Sequence, residues 1–172
     1  MAITPDEKDW TWVLERPCPE CGFEAGSVTP ATAASSLPSL LARWRSVLRR
    51  PEVAERPSEE RWSSLEYGCH VRDVFEVFNQ RLSLMLEEDN PLFDNWDQDQ
   101  TALDRDYARQ DPAEVTVELL AAGSEIADGF AAVRPEQWQR RGQRSNGSAF
   151  TVQTLSGYFL HDIVHHLHDV DG

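Results

Sequence analysis

Apolar side chains recur at intervals of three and four residues in four segments of the chain, and this spacing predicts amphipathic helices. The first predicted helix spans residues 29–50 and ends before Pro51, which cannot continue a helix. The second spans about residues 63–88, and its start carries Ser63 and Glu66 at the spacing of a capping box. Each helix has one apolar stripe, which predicts that one face packs against a common core.

Two further helices are predicted in the second half of the chain. The third spans about residues 111–133, where Asp111 and Pro112 combine an N-cap residue with proline at the first helical position. The fourth begins near Thr151 and runs almost to the C-terminus. Between them, the Asn-Gly pair at 146–147 predicts a turn within a short hairpin or an irregular crossover. Four helices with connections of mixed length predict an all-α fold, a four-helix bundle.

Two parts of the chain show no helical period. Residues 1–29 form a predicted N-terminal arm that contains turn-like sequence. Residues 88–110 form a long acidic connection, which is either a lid over a functional site or a solvated loop anchored by Phe93 and Trp96. No internal repeat divides the sequence, so residues 1–172 are expected to form a single domain.

Composition and charge exclude several classes of partner. The chain has 172 residues, 40% of them hydrophobic, which is enough for a core of its own. Its 30 acidic and 16 basic residues give a net charge of −14, so the surface repels a phosphate backbone and no nucleic-acid partner is expected. No segment approaches the roughly 18 apolar residues of a membrane span, and the first residues lack signal-peptide features. We therefore expect a cytoplasmic protein without a membrane partner.

Histidines in the last predicted helix form a candidate metal site. His161 and His165 are four residues apart, which places both rings on one face of a helix, and His70 is the candidate third ligand from a facing helix. His165 and His168 form a competing pair, whereas His161 and His168 lie about 10.5 Å apart along the axis, too far for shared ligation. His166 points about 100° away from His165, toward packing or a hydrogen bond.

Other roles for these histidines stay open. Histidines near the end of a helix also cap it, because a protonated ring interacts favourably with the negative end of the helix dipole. Neutral imidazole suits zinc, nickel, copper or iron as a ligand, and the spacing does not choose among them. Asp73, Asp162 and Asp169 are candidates to orient the ligand rings, or are ordinary surface acids.

The three cysteines, an odd number, argue against a secreted disulfide framework. Cys18 and Cys21 form half of a zinc-knuckle pattern in PCPECGF, but the second half of a four-ligand site is missing nearby, so a structural zinc would need distant residues. A redox pair and a simple tight turn are the alternatives. Cys69 is expected to be a buried structural cysteine.

One histidine early in the second helix, in EYGCHVRD, and a His-x-x-x-His-His run in the last helix, in HDIVHHLHD, resemble the DinB-like superfamily of metal-binding four-helix bundles. The resemblance extends to LEEDNPLFDNWDQD and RSNGSAFTVQTLSGYFLHD, which look like a bacterial branch of that family. It implies a divalent metal, zinc or nickel, held by three histidines or by two histidines and a carboxylate. The matching positions are His70, His161 and His165, whereas the maleylpyruvate isomerase branch carries a glutamate at one of the last-helix positions.

The resemblance also implies an activity, because characterised relatives include transferases and isomerases that use low-molecular-weight thiols such as mycothiol or bacillithiol. A metal-bound thiolate would then attack an electrophilic small molecule, and three histidines would leave a coordination position open for it. Arg140, Arg141 and Arg144 are candidates to pair with a carboxylate of the thiol or substrate, or are ordinary ion-pair partners. Trp96 is a candidate to line the pocket.

Two other functions and an oligomeric state stay open. The chain is alternatively a non-catalytic stress-associated or partner-binding bundle whose metal is structural. It is alternatively a metal-assisted hydrolase, in which Asp73 or an acid of the long connection serves as general base near a bound water. The resemblance also makes a homodimer an open alternative, because superfamily members often form dimers.

Overall fold

The structure, a computed structural model, describes residues 9–172, and four long helices form its bundle. They are α1 (Pro30–Val47), α2 (Ser64–Glu87), α4 (Pro112–Ala131) and α5 (Val152–Asp169), and a short helix, α3 (Gln98–Asp104), lies between α2 and α4. The predicted all-α four-helix bundle is therefore confirmed. None of the described helices is long and apolar enough to cross a membrane.

Side-chain caps explain where the long helices begin. Thr29, Asp111 and Thr151 each accept a hydrogen bond from a backbone N–H in the first turn of the helix that follows. At the start of α2, the Ser63 hydroxyl accepts from the N–H of Glu66, and the Glu66 carboxylate accepts from the N–H of Ser63 at 2.9 Å. The capping box predicted for α2 is thus formed.

The core lies where the apolar stripes of the helices meet. Helix α4 packs against α1 and α2, and α5 packs against the same two helices. Phe159 of α5 stands at the centre, with its ring 5.8 Å from Phe75, 5.5 Å from Phe78 and 5.3 Å from Phe130 between centroids. These aromatic contacts join α2, α4 and α5, and the fully buried Trp44 adds α1 to the same core.

A small sheet closes one end of the bundle. Strands β2 (Arg141–Arg144) and β3 (Ala149–Thr151) form an antiparallel hairpin, and β1 (Leu92–Phe93) pairs with β2 in parallel. The hairpin turns at Asn146 and Gly147, where Gly147 has a φ of +96° that an L side chain rarely adopts. Of the two alternatives left open for this segment, the hairpin is the one that forms.

The acidic connection between α2 and α4 has structure of its own, which the sequence pattern did not predict. It contains β1, α3 and a 3-10 helix at Tyr107–Arg109. Helix α3 has no buried residue and therefore no apolar stripe that would reveal it, and its N-cap Asp97 is the main local signal. The indole N–H of Trp96 donates to the Thr101 hydroxyl at 2.8 Å and fastens α3 to the preceding turn.

The N-terminal arm packs along α5. From residue 9 it contains two 3-10 helices, Trp10–Leu14 and Ala25–Ser27, and both contact α5. A side chain at Gly157 would meet the carbonyl oxygen of Ala25 at 2.3 Å, so glycine permits this close approach of backbone to helix. The part of the predicted arm before residue 9 lies outside the described residues.

Candidate metal centre

A pocket of about 260 Å³ opens between the N-terminal arm, the start of α2, α3 and the exposed side of α5. Aromatic, acidic and imidazole side chains form its walls, and no lysine or arginine of the described part of the chain is among them. The lining residues are Trp10, Glu20, Trp62, Tyr67, Gln98, Asp99, Tyr158, His161, Asp162, His165, His166 and Asp169.

Three metal-ligating side chains meet at one side of this pocket, and we call His70, Asp162 and His166 the pocket cluster. The Nε2 atom of His70 lies 3.5 Å from Oδ1 of Asp162, and Nε2 of His166 lies 3.6 Å from the same oxygen. Donor atoms about 2.0–2.1 Å from one zinc ion at tetrahedral angles lie about 3.4 Å apart. The spacing of these atoms therefore fits shared ligation of one ion.

Buried polar atoms in the pocket cluster also point to a missing partner. His70 is fully buried, yet neither of its ring nitrogens makes a hydrogen bond to any residue in 9–172, and the same holds for Oδ1 of Asp162. Buried polar groups without a partner are rare, and an ion bound between them is one of the recognised explanations. The residues present thus fit a divalent metal.

Neighbouring groups orient the rings of the pocket cluster. The Asp169 carboxylate lies 2.8 Å from Nδ1 of His166, which directs the other nitrogen of that ring toward Asp162. His70 is held between the rings of Trp96, stacked at a centroid distance of 5.4 Å, and Trp62 at 5.6 Å. These contacts fix both rings with their Nε2 atoms toward the same point.

The electrostatics of the pocket cluster favour a charged carboxylate. Burial raises the pKa of Asp162, but the neighbouring rings of His166 and His70 more than offset it and lower the pKa to about 2. An ionised carboxylate beside two imidazoles is a donor set that accepts zinc and other divalent transition metals.

A second group of ligands lies on the adjacent side of α5, and we call Cys18, Cys21, His161 and His165 the arm cluster. One ligand atom from each of the four residues lies within 4.8 Å of the others. Burial, the largest effect, lowers the pKa of His161 to about 4 and also lowers that of His165, so both rings are neutral near pH 7.

The predicted ligand set of His70, His161 and His165 is divided between these two clusters. The structure brings His161 and His165 together as the spacing predicts, but they face the cysteines of the arm, and His70 lies with Asp162 and His166 instead. Both helix pairs have the i, i+4 spacing, and they are offset by one residue, or about 100° around the helix. The run HDIVHH therefore contains two overlapping i, i+4 pairs of candidate metal ligands, a signal that could have revealed Asp162 and His166.

Comparisons with known proteins agree with this fold. Residues 40–170 match the model of the DinB superfamily, which is most of the chain. The chain belongs to the DinB superfamily. Among solved structures, this DinB-superfamily protein is similar to YfiT from Bacillus subtilis, a probable metal-dependent hydrolase with an unusual four-helix bundle topology. The two share 16% sequence identity with a TM-score of 0.68, over 97% of this chain and 89% of that one. A search of curated proteins finds no match.

The predicted cofactor-binding residues of this DinB-superfamily protein, Trp96, Arg141 and Arg144, are not among the residues that line the pocket. The ring of Trp96 stacks on that of His70, and Arg141 is exposed on β2. Arg144 lies over the ring of Tyr158, a pocket-lining residue, at 5.8 Å. Arg140 donates to the carbonyl oxygens at the end of α2, including that of Met85 at 2.6 Å, and so joins the hairpin segment to the helix.

Two further residues named from the sequence lie outside both clusters. Asp73 is buried, away from the residues that line the pocket, and accepts hydrogen bonds from Arg72, Arg105 and Tyr107. This network fastens the acidic connection to α2. Asp73 therefore has a structural role, and it is not among the pocket-lining residues, where a general base would act. His168 is exposed on α5.

Proposed function

We propose that this DinB-superfamily protein is a metal-dependent enzyme in which His70, Asp162 and His166 hold a divalent ion in the pocket. The observation that supports this most directly is the convergence of three donor atoms, two of which, on His70 and Asp162, have no hydrogen-bond partner within residues 9–172. Two histidines and one carboxylate are also one of the ligand sets that the sequence resemblance implied. Three protein ligands leave a coordination position free, which is characteristic of catalytic rather than structural zinc.

We propose that the reaction is the attack of a low-molecular-weight thiol on an electrophilic small molecule. A divalent ion in this position would lower the pKa of a bound thiol, so that the nucleophile forms at neutral pH without a separate base. The chain's own contribution is to orient the ligands through Asp169 and to exclude water with the aromatic walls formed by Trp10, Trp62 and Tyr67.

The charge of the walls narrows the class of thiol and substrate. Glu20, Asp99, Asp162 and Asp169 all line the pocket, and no lysine or arginine among the described residues does so. Because carboxylates repel anions, a neutral thiol such as mycothiol suits this pocket better than a carboxylate-bearing one. This proposal therefore assigns Arg140, Arg141 and Arg144 no role in binding a carboxylate of the thiol or substrate.

Hydrolysis is the second candidate, and one observation favours it. Glu20 and Asp99 place carboxylates in the pocket walls, where such a group can accept a proton from an attacking water. The similarity to YfiT, itself named a probable metal-dependent hydrolase, adds weight to this candidate.

Calorimetric titration of the zinc-loaded protein with mycothiol, and with its S-methyl derivative as a matched control, tests the thiol proposal. We expect the thiol to bind with release of a proton and the S-methyl derivative to bind weakly or not at all, because only the thiol can lose a proton to a metal-bound state. Binding that vanishes in His166→Ala and persists in His168→Ala locates the effect at the pocket cluster. Equal affinity for the thiol and the S-methyl derivative would reject thiol activation and leave hydrolysis as the candidate.

A further inference from the structure

The N-terminal arm brings two cysteines against two histidines of α5, outside the pocket cluster. The ligands follow the spacing Cys-x-x-Cys for residues 18 and 21 and His-x-x-x-His for residues 161 and 165. These two spacings are the halves of a Cys2His2 zinc site, although here the halves lie at opposite ends of the chain. We propose that Cys18, Cys21, His161 and His165 bind a second zinc ion, whose role is structural.

The distances within the arm cluster fit tetrahedral zinc. Zinc lies about 2.3 Å from a thiolate and about 2.0–2.1 Å from an imidazole nitrogen, so a sulfur and a nitrogen on the same tetrahedral ion are about 3.6 Å apart. The Sγ atom of Cys18 lies 3.7 Å from Nδ1 of His165. One ligand atom from each of the four residues lies within 4.8 Å of the others, so small side-chain movements would bring them to the spacing of about 3.4–3.8 Å that tetrahedral zinc requires.

The backbone of the arm turns both thiols toward α5. The N–H of Gly22 donates to the carbonyl of Cys18 at 2.8 Å, and the N–H of Cys18 donates to the carbonyl of Phe23 at 3.0 Å. Gly22 has a φ of +74°, which permits the chain to reverse directly after Cys21.

Burial supplies an independent indication of a missing partner. Cys18, His161 and His165 are buried, and Nε2 of His161 makes no hydrogen bond to any residue of the described chain. The ring of Trp10 covers both histidines, at centroid distances of 5.8 and 5.1 Å. Buried polar groups without a partner are rare, and an ion bound beside them is one of the recognised explanations.

The donor set selects the ion and its role. Two thiolates and two imidazoles favour zinc, and four protein ligands leave no position for a substrate. The ion would tie the arm to α5, and metal binding of this kind contributes directly to folding. Since Trp10 and Glu20 of the arm also line the pocket, the same ion would hold one wall of the pocket in place. This inference does not depend on the proposed activity.

Titration of metal-free, reduced protein with Co²⁺ tests the site, because only a cobalt ion bound by thiolate gives an intense sulfur-to-cobalt charge-transfer band. We expect this band to appear in the wild type and to saturate at one equivalent in His70→Ala, in which the arm cluster is the remaining site. It should disappear in the double variant Cys18→Ser/Cys21→Ser and persist in Cys69→Ser, the matched cysteine control. It should also persist in His70→Ala, because that variant alters the pocket cluster alone.

Several results would overturn the proposal. They are the absence of a charge-transfer band in the wild type and a band that survives in the double variant. If the double variant fails to fold, thiol alkylation of the wild type tests the site instead. Cys18 and Cys21 should be protected from alkylation in the zinc-loaded protein and modified after the zinc is removed by a chelator. Equal modification in both states would reject the site. Failure of the pocket proposal gives a different pattern, one equivalent of metal with the charge-transfer band intact.

Discussion

His165 and His166 are neighbours in the chain, yet their rings face different partners. Nδ1 of His165 lies 3.7 Å from the sulfur of Cys18, and Nε2 of His166 lies 3.6 Å from Asp162. Consecutive residues of a helix point about 100° apart, so one turn of α5 can serve two separate ligand groups. Between them, Asp169 lies 2.8 Å from His166 Nδ1 and 3.9 Å from His165 Nε2. One carboxylate therefore stands beside both histidines.

Replacement of Asp169 by asparagine should weaken metal binding at the pocket cluster by about 10- to 100-fold, because the ring of His166 loses the carboxylate that orients it. The measurement is zinc affinity by competition with a chromophoric chelator. The measurement is made in the Cys18→Ser/Cys21→Ser background, which removes the arm cluster, so that the measured zinc affinity is that of the pocket cluster. Asp171→Asn, an exposed neighbour on the same segment, is the matched control. An affinity unchanged by Asp169→Asn would show that His166 does not need this carboxylate.

At the scale of single residues, the sequence predicts which side chains share a helix face better than it predicts what lies opposite that face. The i, i+4 spacing of His161 and His165 correctly indicates that the two rings share a face of the helix. It carries no information about which element lies opposite that face. The packing of the N-terminal arm determines which residues lie there. The arm has no periodic pattern from which its path can be predicted. The sequence therefore does not indicate that Cys18 and Cys21 lie opposite these two histidines.

Among the elements, the start of α2 is the one whose local chemistry most directly positions the site. Glu66 closes the capping box with Ser63 and also forms an ion pair with Arg56, and its side chain is almost fully buried. His70 follows one turn later on the same helix. A frayed first turn would therefore displace a ligand of the pocket cluster, because the ligand lies close to the end that the cap holds.

Replacement of Glu66 by glutamine should lower the free energy of unfolding by about 1–3 kcal/mol at pH 7, because the buried charge-assisted hydrogen bonds to Arg56 are lost. Burial raises the pKa of Glu66, but Arg56 and the Ser63 groups outweigh this, and the pKa lies below its ordinary value of 4.5. The unfolded chain then binds more protons than the folded chain between these two pKa values. The stabilisation by Glu66 is thus complete above pH 4.5 and is lost as the pH falls through the folded-state pKa.

Urea unfolding of the wild type and Glu66→Gln at pH 7 and at pH 3 checks this prediction, with the exposed Glu60→Gln as the matched control. The difference in free energy of unfolding between wild type and Glu66→Gln should be smaller at pH 3 than at pH 7. A gap that stays constant or widens on acidification would contradict the assigned role of the carboxylate.

The sequence pattern predicts the helices that bury an apolar face and misses the short elements that do not. The four long helices carry apolar stripes and recognisable caps, and both signals lie within the segment itself. Helix α3 buries none of its residues, so it has no stripe, and it is held by contacts such as that between Trp96 and Thr101. Strand β1 has only two residues and forms by pairing with β2, which a local pattern does not show.

In the whole molecule, the bundle core and the functional groups occupy different regions. Phe75, Phe130 and Phe159 join three helices in the interior, whereas both metal clusters lie where α5 meets α2 and the arm. The acidic walls fit the net charge of −14 and favour cations and neutral molecules at the pocket. This arrangement lets the site vary in its ligands without a change in the core, as expected for a function built on a shared fold.

Elemental analysis of zinc in tag-free, zinc-reconstituted protein, for the wild type and for variants, decides whether the pocket cluster binds a metal. We expect two equivalents of zinc in the wild type and in the His168→Ala control. We expect one equivalent in His70→Ala, where the pocket cluster is broken, and one in Cys18→Ser/Cys21→Ser, where the arm cluster is broken. A folded His70→Ala variant that retains as much zinc as the wild type would contradict a metal site formed by His70, Asp162 and His166.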